Sequence, residues 1–264
     1  MMSKANPTGI DAYKPSEIAE LVETAGVAKI RQPITQIVTL SILAGAFIGL
    51  GAAAYTVVMT GADASFGPAR FLGGVVFSLG LILVIVGGAE LFTGNALMVM
   101  AAVDRLITPA ELLRNWVLVY FGNFTGAVGL AIAFSVTGIL DGPTGSTATI
   151  IADSKVALSW SEAFMRGVLC NMLVCLAVWL TLAARTVSGK ILAIIWPISS
   201  FVLLGLEHSV ANMYLIPQGI FAGSQVGAGA IAANFAFVTF GNIVGGAGGV
   251  ALAYRLAYGV PPKD

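Results

Sequence analysis

The sequence predicts an all-α membrane protein of six transmembrane helices, folded as two inverted three-helix repeats with the second and fifth helices broken. Three observations predict it. Of the 264 residues, 58% are hydrophobic and 10% charged, whereas soluble domains carry roughly a quarter charged residues. Several apolar runs reach the roughly 20 residues that cross a bilayer's hydrocarbon layer. A twelve-residue segment, Asn115 to Gly126, recurs as Asn234 to Gly245.

The elements follow in order. Residues 1–33 precede the first apolar run and hold four basic and four acidic side chains, which argues against a cleavable leader. Pro15-Ser16-Glu17 starts a short helix, and Ile18, Leu21, Val22, Ala25 and Ala28 mark its apolar stripe. This amphipathic helix is expected to rest on the membrane surface or on neighbouring loops; a gating role is the sharper alternative. The channel domain spans 34–256, with repeats at about 34–139 and 160–256 and six spans near 35–60, 70–100, 112–139, 161–185, 190–217 and 227–256. Residues 257–264 form a tail. Ten basic residues (Lys4, Lys14, Lys29, Arg31, Arg105, Arg114, Arg185, Lys190, Arg255 and Lys263) fall on one side of these spans, and Arg70, Lys155 and Arg166 on the other. The basic excess predicts that both termini are cytoplasmic and that the chain sits in a bacterial inner membrane, the lipid bilayer being its first partner.

The recurring pattern is Asn-aromatic-x-x-Val-x-Phe-Gly-Asn-x-x-Gly at an offset of 119, and Glu90 to Asn95 is echoed by Glu207 to Asn212 at an offset of 117. Two similar offsets point to duplication of a three-span unit, and an odd number of spans per unit places the halves upside-down relative to each other, the plan of many transport proteins. Ionisable groups inside spans mark function. Here they are Glu90, Glu207 and His208, the protein's one histidine. Glycines 87, 88, 94 and 205 flank them and predict helix breaks, whose freed backbone groups survive in a bilayer only inside protein or beside water. Half-helix N-termini at such breaks attract anions. His208 can donate a hydrogen bond or a proton to an anion. Thr93, in the first break, can contact the same anion or cap the helix. Glu90 and Glu207 are expected to anchor the loops, since a bare carboxylate in the path repels anions. Lys155 can draw anions into a vestibule. Asn123 and Asn242 read as interhelical hydrogen-bonding positions.

Other functions find no support. The formal net charge is zero, which removes the electrostatic case for nucleic acid. Cys170 and Cys175 point to different faces of a helix, so neither a disulfide nor a metal site is indicated. His208 is followed by Ser-Val-Ala-Asn rather than a zinc-hydrolase pattern, and no phosphate loop occurs. No enzymatic activity, cofactor or metal is expected.

Gly88 to Asn95, Asn115 to Gly126, Asn171 to Trp179, Glu207 to Met213 and the Glu23, Gly26, Lys29 spacing together make the chain resemble the formate/nitrite transporter family over nearly its whole length. The resemblance implies a homopentamer with an aquaporin-like fold and a pore in each protomer. It implies a pore loop at Leu91, Phe92 and Thr93 faced by His208. It puts apolar constrictions at Phe77, Leu81 and Phe201 on the outer side and at Leu91, Phe92 and Val174 on the inner side. Asn171, Asn212 and Lys155 match polar positions along the pathway. The expected function is passage of small monovalent anions, formate foremost, with pH dependence through the central histidine. Nitrite or hydrosulfide passage is the alternative within the family, and a neutral-solute channel the alternative outside it.

Overall fold

The computed structural model describes residues 12–259, and these are helical apart from short connections. Lys4, Lys263 and positions 260–264 of the tail lie outside the described residues. Helix α1 (Pro15–Ile30) begins with Pro15, whose missing N–H is no loss in a first turn, and the Glu17 carboxylate accepts from the Lys14 N–H at 2.6 Å. Next come α2 (Ile34–Met59) and α3 (Gly67–Gly87). The chain then leaves helix until a 3₁₀ turn (Gly94–Met98) and α4 (Val99–Val103). The first half closes with α5 (Pro109–Ser135), whose start is fixed by reciprocal hydrogen bonds between Thr108 and Glu111.

The second half opens with α6 (Pro143–Val156) and α7 (Trp160–Ala183). Ser159 and Glu162 cap α7 as Thr108 and Glu111 cap α5. Helix α8 (Val187–Leu203) stops short, and α9 (Ser209–Phe221) resumes after an interruption. The last span runs from α10 (Ala228–Ile243) through a π-helical stretch (Val244–Leu252) into α11 (Ala253–Tyr258).

Among the described residues, five helices are long and apolar enough to cross a membrane: Ile34–Met59, Gly67–Gly87, Pro109–Ser135, Trp160–Ala183 and Ala228–Tyr258. The run predicted at 190–217 is divided between α8 and α9, of 17 and 13 residues, each below the roughly 20 residues of a full span. That run also extends past its expected end: α9 passes through Pro217 to Phe221. One element is absent from the sequence-based reading, α6, which occupies the supposed connection between the halves.

The core gathers residues from α2, α3, α5, α7, α8 and α9. Helix α9 is buried along most of its length, with Met213, Tyr214 and Ile216 among the largest fully enclosed side chains, and only Ile220 and Phe221 at its end are exposed. The stripe of α1 does not lie open to a membrane surface. Ile18, Ala19 and Val22 are buried against Leu97, Met100, Trp179 and Val250. Helix α1 is thus held against the 3₁₀ turn, α4 and the end of the last span.

A cluster of charges fastens this contact. Arg255 on α11 donates from Nε to Asp104 Oδ1 at 2.7 Å and also from Nη2 to the same oxygen. Glu23 of α1 meets Asp104. Partial burial, then the hydrogen bond with Asp104 and its negative charge, push the Glu23 carboxyl up to about 7; Arg255 opposes the shift and Glu20 adds to it. A carboxyl that holds its proton more tightly when docked favours docking at low pH, and that advantage is lost as pH rises through the docked value. Amide hydrogen exchange of α1 is therefore expected to quicken between pH 6 and 8 beyond the intrinsic base-catalysed rise, and Glu23→Gln is expected to remove that excess. Equal excess in both proteins would contradict this assignment.

Candidate functional site

The site lies where the two helical interruptions face each other. Helix α3 ends at Gly88, which takes the left-handed φ of 82° that glycine adopts without penalty; Gly205, just beyond α8, has a φ of 67°. Between these turns and the resuming helices, several backbone groups have no helical partner. Each unpaired group inside a bilayer costs several kcal/mol.

Two asparagines meet that need. Asn123 of α5 donates from Nδ2 to the Ser41 and Glu90 carbonyls, both at 2.8 Å, and accepts from the Phe92 N–H at 2.9 Å. Asn242 of α10 donates to the Gly167 and Glu207 carbonyls at 2.8 and 2.9 Å, and accepts from the Ser209 N–H at 2.9 Å. The N–H groups of Glu90 and Glu207 reach the Leu40 and Arg166 carbonyls at 3.2 and 3.3 Å. Asn171 adds a tie, donating to the Thr93 carbonyl at 3.1 Å and the Asn242 carbonyl at 2.7 Å.

The carboxylates make a second matched set. Glu90 takes Lys29 Nζ at 2.8 Å on each oxygen and Asn95 Nδ2 at 2.9 Å, and Asn95 also donates to Asn115 at 2.9 Å. Glu207 takes Lys155 Nζ at 3.0 and 3.2 Å and Asn212 Nδ2 at 2.7 Å, and Asn212 also donates to Asn234 at 2.8 Å. Sequestered charges of this kind are tolerated when paired and hydrogen-bonded. The two carboxylates thus hold side chains, while the asparagines hold the loop backbone. Lys155 is not a free collector of anions: Glu207 neutralises it. Asn212 belongs to this clamp and lines neither cavity described below.

At the centre, His208 and Thr93 are buried and in contact, Nε2 to Oγ1, at 2.8 Å. The tautomer follows from the fold. His208 Nδ1 accepts the Ala211 N–H at 3.0 Å and so caps α9. A capped Nδ1 carries no proton, which leaves the proton of a neutral ring on Nε2. Nε2–H then donates to Thr93, whose own hydroxyl proton has no acceptor among the described residues. Two donors therefore meet at one point, with Phe201 stacked over the imidazole at a centroid distance of 6.0 Å.

Cavities open on both sides of this contact. One of about 340 Å³ is lined by His208, Glu207, Lys155, Phe77 and Phe201 among others, and one of about 360 Å³ by Glu90, Lys29, Leu81, Leu91 and Val84 among others. Phe77 and Phe201 meet edge to face at 5.4 Å on the His208 side. Leu81, expected with them, lies instead on the wall of the Glu90-side cavity. Leu91 lines that cavity as well, and Val174 is buried in the core and lines neither. Phe92 departs from expectation. It packs edge-on against Tyr120 and Trp116, at 5.0 and 6.2 Å, and lines neither cavity. Its side chain anchors the loop while its backbone is held by Asn123.

Interrupted spans, buried donors at the centre and facing cavities define a multi-pass membrane transport protein. Comparison with known proteins narrows the class. Residues 16–256 match the model of the formate/nitrite transporter family. The chain is 40% identical over 249 residues to the formate channel BtFdhC of Bacillus thuringiensis, covering 93% of this chain and 96% of that one. It superimposes on a solved FNT family ion channel with a TM-score of 0.86 at 29% identity, over 93% of this chain and 100% of the other. A pentameric formate channel solved with formate bound matches with a TM-score of 0.75 at 36% identity, over 85% and 97%. The chain belongs to the formate/nitrite transporter family, whose members are channels and transporters, not enzymes.

Removing an asparagine that holds a loop strands several buried polar groups, at roughly 1–3 kcal/mol each. Asn123→Ala and Asn242→Ala are each expected to lower the thermal midpoint of the detergent-solubilised protein by at least about 5 °C, given roughly 2–4 °C per kcal/mol at this size. A change below about 2 °C in both would mean that the loops are held by something else.

Proposed function

We propose that this protein is a channel for small monovalent anions, formate first among them, in which His208 and Thr93 supply the central donors and passage depends on pH. The observation that carries the reading is the buried Thr93–His208 contact between two interrupted helices, with a cavity on either side. The formate channels among its relatives support the choice of anion.

The mechanism follows from the chemistry of that point. An anion leaving a cavity sheds water at apolar walls, Phe77 and Phe201 on one side and Leu81 and Leu91 on the other. Hydrogen bonds to a charged partner contribute about 1.5–3 kcal/mol each; the Thr93 hydroxyl offers one, and His208 Nε2–H offers a second when it turns from Thr93 to the anion. Crossing as the neutral acid avoids carrying a charge through a low-dielectric gap. For that route the imidazole must first gain a proton on Nδ1, which breaks the Ala211 cap, and then give up its Nε2 proton to the anion. Acidification thus acts on the donor and on the α9 terminus together.

The same reading takes the chain as six spans in two inverted repeats. In support, Lys29 and Lys155, Glu90 and Glu207, and Asn123 and Asn242 make equivalent bonds in the two halves. Tyr120 and Thr239, which occupy the same place in the repeat, bond to each other at 3.1 Å. We infer a homopentamer from the pentameric relative. The inferred location is the inner membrane with both termini cytoplasmic, on the distribution of basic residues.

Uptake of labelled formate and nitrite into proteoliposomes tests the proposal. Wild type is expected to carry formate faster as external pH falls. His208→Phe is expected to lose roughly ten- to a hundredfold in flux, the loss of one charge-assisted hydrogen bond, along with the pH response. His208→Gln retains a neutral donor but cannot titrate. It is expected to retain more flux than His208→Phe while losing the pH response. Glycerol passing as readily as formate would mark a neutral-solute channel, and an unchanged pH response in both variants would end the proton role.

A further inference from the structure

The three basic residues assigned to the outer side by sequence, Arg70, Lys155 and Arg166, all line the His208-side cavity. Their charges are not equivalent. Lys155 is paired with Glu207, the one carboxylate on the cavity wall. Arg70, in the first turn of α3, has no ion-pair partner among the described residues. Arg166, on α7, has only Glu162, a half-exposed neighbour at 3.9 Å, and exposed pairs of this kind contribute little.

The two guanidinium groups converge on Gly205. Arg166 Nη1 donates to the Gly205 carbonyl at 3.4 Å. Arg70 lies against the other face of the same residue, since a Cβ built on Gly205 would meet Arg70 Nη2. Gly205 stands in the interruption between α8 and α9, three residues before His208. The cavity wall thus carries two guanidinium groups, Arg70 without an ion-pair partner among the described residues and Arg166 held only loosely by Glu162, and the Phe77–Phe201 pair lines the same cavity. The Glu90-side cavity differs: its lining cations are Lys29, paired with Glu90, and Lys190.

We propose that Arg70 and Arg166 form an anion-capture site at the mouth of the passage, which takes a small monovalent oxyanion before it enters the constriction. A carboxylate suits the site because a guanidinium presents parallel donors to two oxygens. Both groups remain open to water, so the anion is held loosely enough to move on. The site raises the local anion concentration, as clefts lined by one sign of charge do. This inference rests on the anion-channel reading and adds to it: the residues that gather the anion are separate from Lys155 and from the central donors.

The test uses the full-length protein in proteoliposomes, with labelled formate well below saturation. Arg70→Gln with Arg166→Gln is expected to lower initial uptake about tenfold in about 0.01 M salt, the low end of electrostatic focusing. The deficit should nearly vanish in about 1 M salt, where the Debye length falls from about 30 Å to about 3 Å. Maximal uptake at saturating formate should change less than twofold. The charge-preserving pair Arg70→Lys with Arg166→Lys is expected to restore most of the low-salt uptake. A Lys pair as defective as the Gln pair would overturn the proposal, because the loss would then come from a disturbed Gly205 turn. Wild-type concentration and salt dependence in the Gln pair would overturn it as well. If wild type carries no anion at all, the channel reading itself fails, an outcome distinct from either.

Discussion

The structure depends on one constraint: two helices are interrupted inside a membrane domain, and the backbone groups freed there must find partners within the protein. Asn123 and Asn242 do this with one donor pair and one acceptor each. Each amide bridges a carbonyl on a neighbouring helix, the carbonyl of a glutamate in the interruption and the N–H two residues further on. An asparagine suits the task because a single side chain offers both donors and acceptor in one plane. With the backbone satisfied, the side chains of Thr93 and His208 are left to meet each other at the centre.

The ion pairs act one layer out. Glu90 and Glu207 would be costly alone in this setting, and each is balanced by a lysine from a flanking helix, α1 in one half and α6 in the other. That correspondence gives α1 and α6 the same job. Helix α1 is therefore tied to the channel by Lys29 at one point and by Glu23, Asp104 and Arg255 at another. Its neighbours are the 3₁₀ turn and α4, the continuation of the first interrupted helix. A change in how α1 docks thus bears directly on the elements that hold Thr93.

Much of this was legible in the sequence, for reasons that also mark where legibility ends. Apolar length gave the spans, and glycines beside an intramembrane Glu gave both interruptions. The singular His208 stood out because a lone ionisable ring in an apolar run needs a reason. Helix α6 was not legible: Thr, Ser, Asp and Lys interrupt its 14 residues and leave no apolar stripe. The direction of Phe92 was hidden too, since a side chain outside helix follows no period. Leu81 lines the Glu90-side cavity, one turn from Phe77, because one face of α3 runs past both cavities. The meeting of Arg70 and Arg166 at Gly205 is a tertiary fact, set by how α3 and α7 approach the end of α8.

The residues matched between the two halves hold the scaffold, but the groups at its centre are not matched. At the offset that pairs Glu90 with Glu207 and Asn95 with Asn212, His208 stands opposite Leu91 and Thr93 opposite Val210. Each polar group at the centre therefore has an apolar counterpart in the other half. A symmetric arrangement would put two imidazoles or two hydroxyls at one crossing point, and two rings there would repel each other once both were protonated. One ring facing one hydroxyl avoids this: the neutral imidazole donates to the threonine, and the threonine's own proton stays available to whatever passes. The halves differ at these positions and at many others, while the residues that hold the loops stay matched. The residues that hold the loops recur in both halves, and the Thr93–His208 contact they enclose does not.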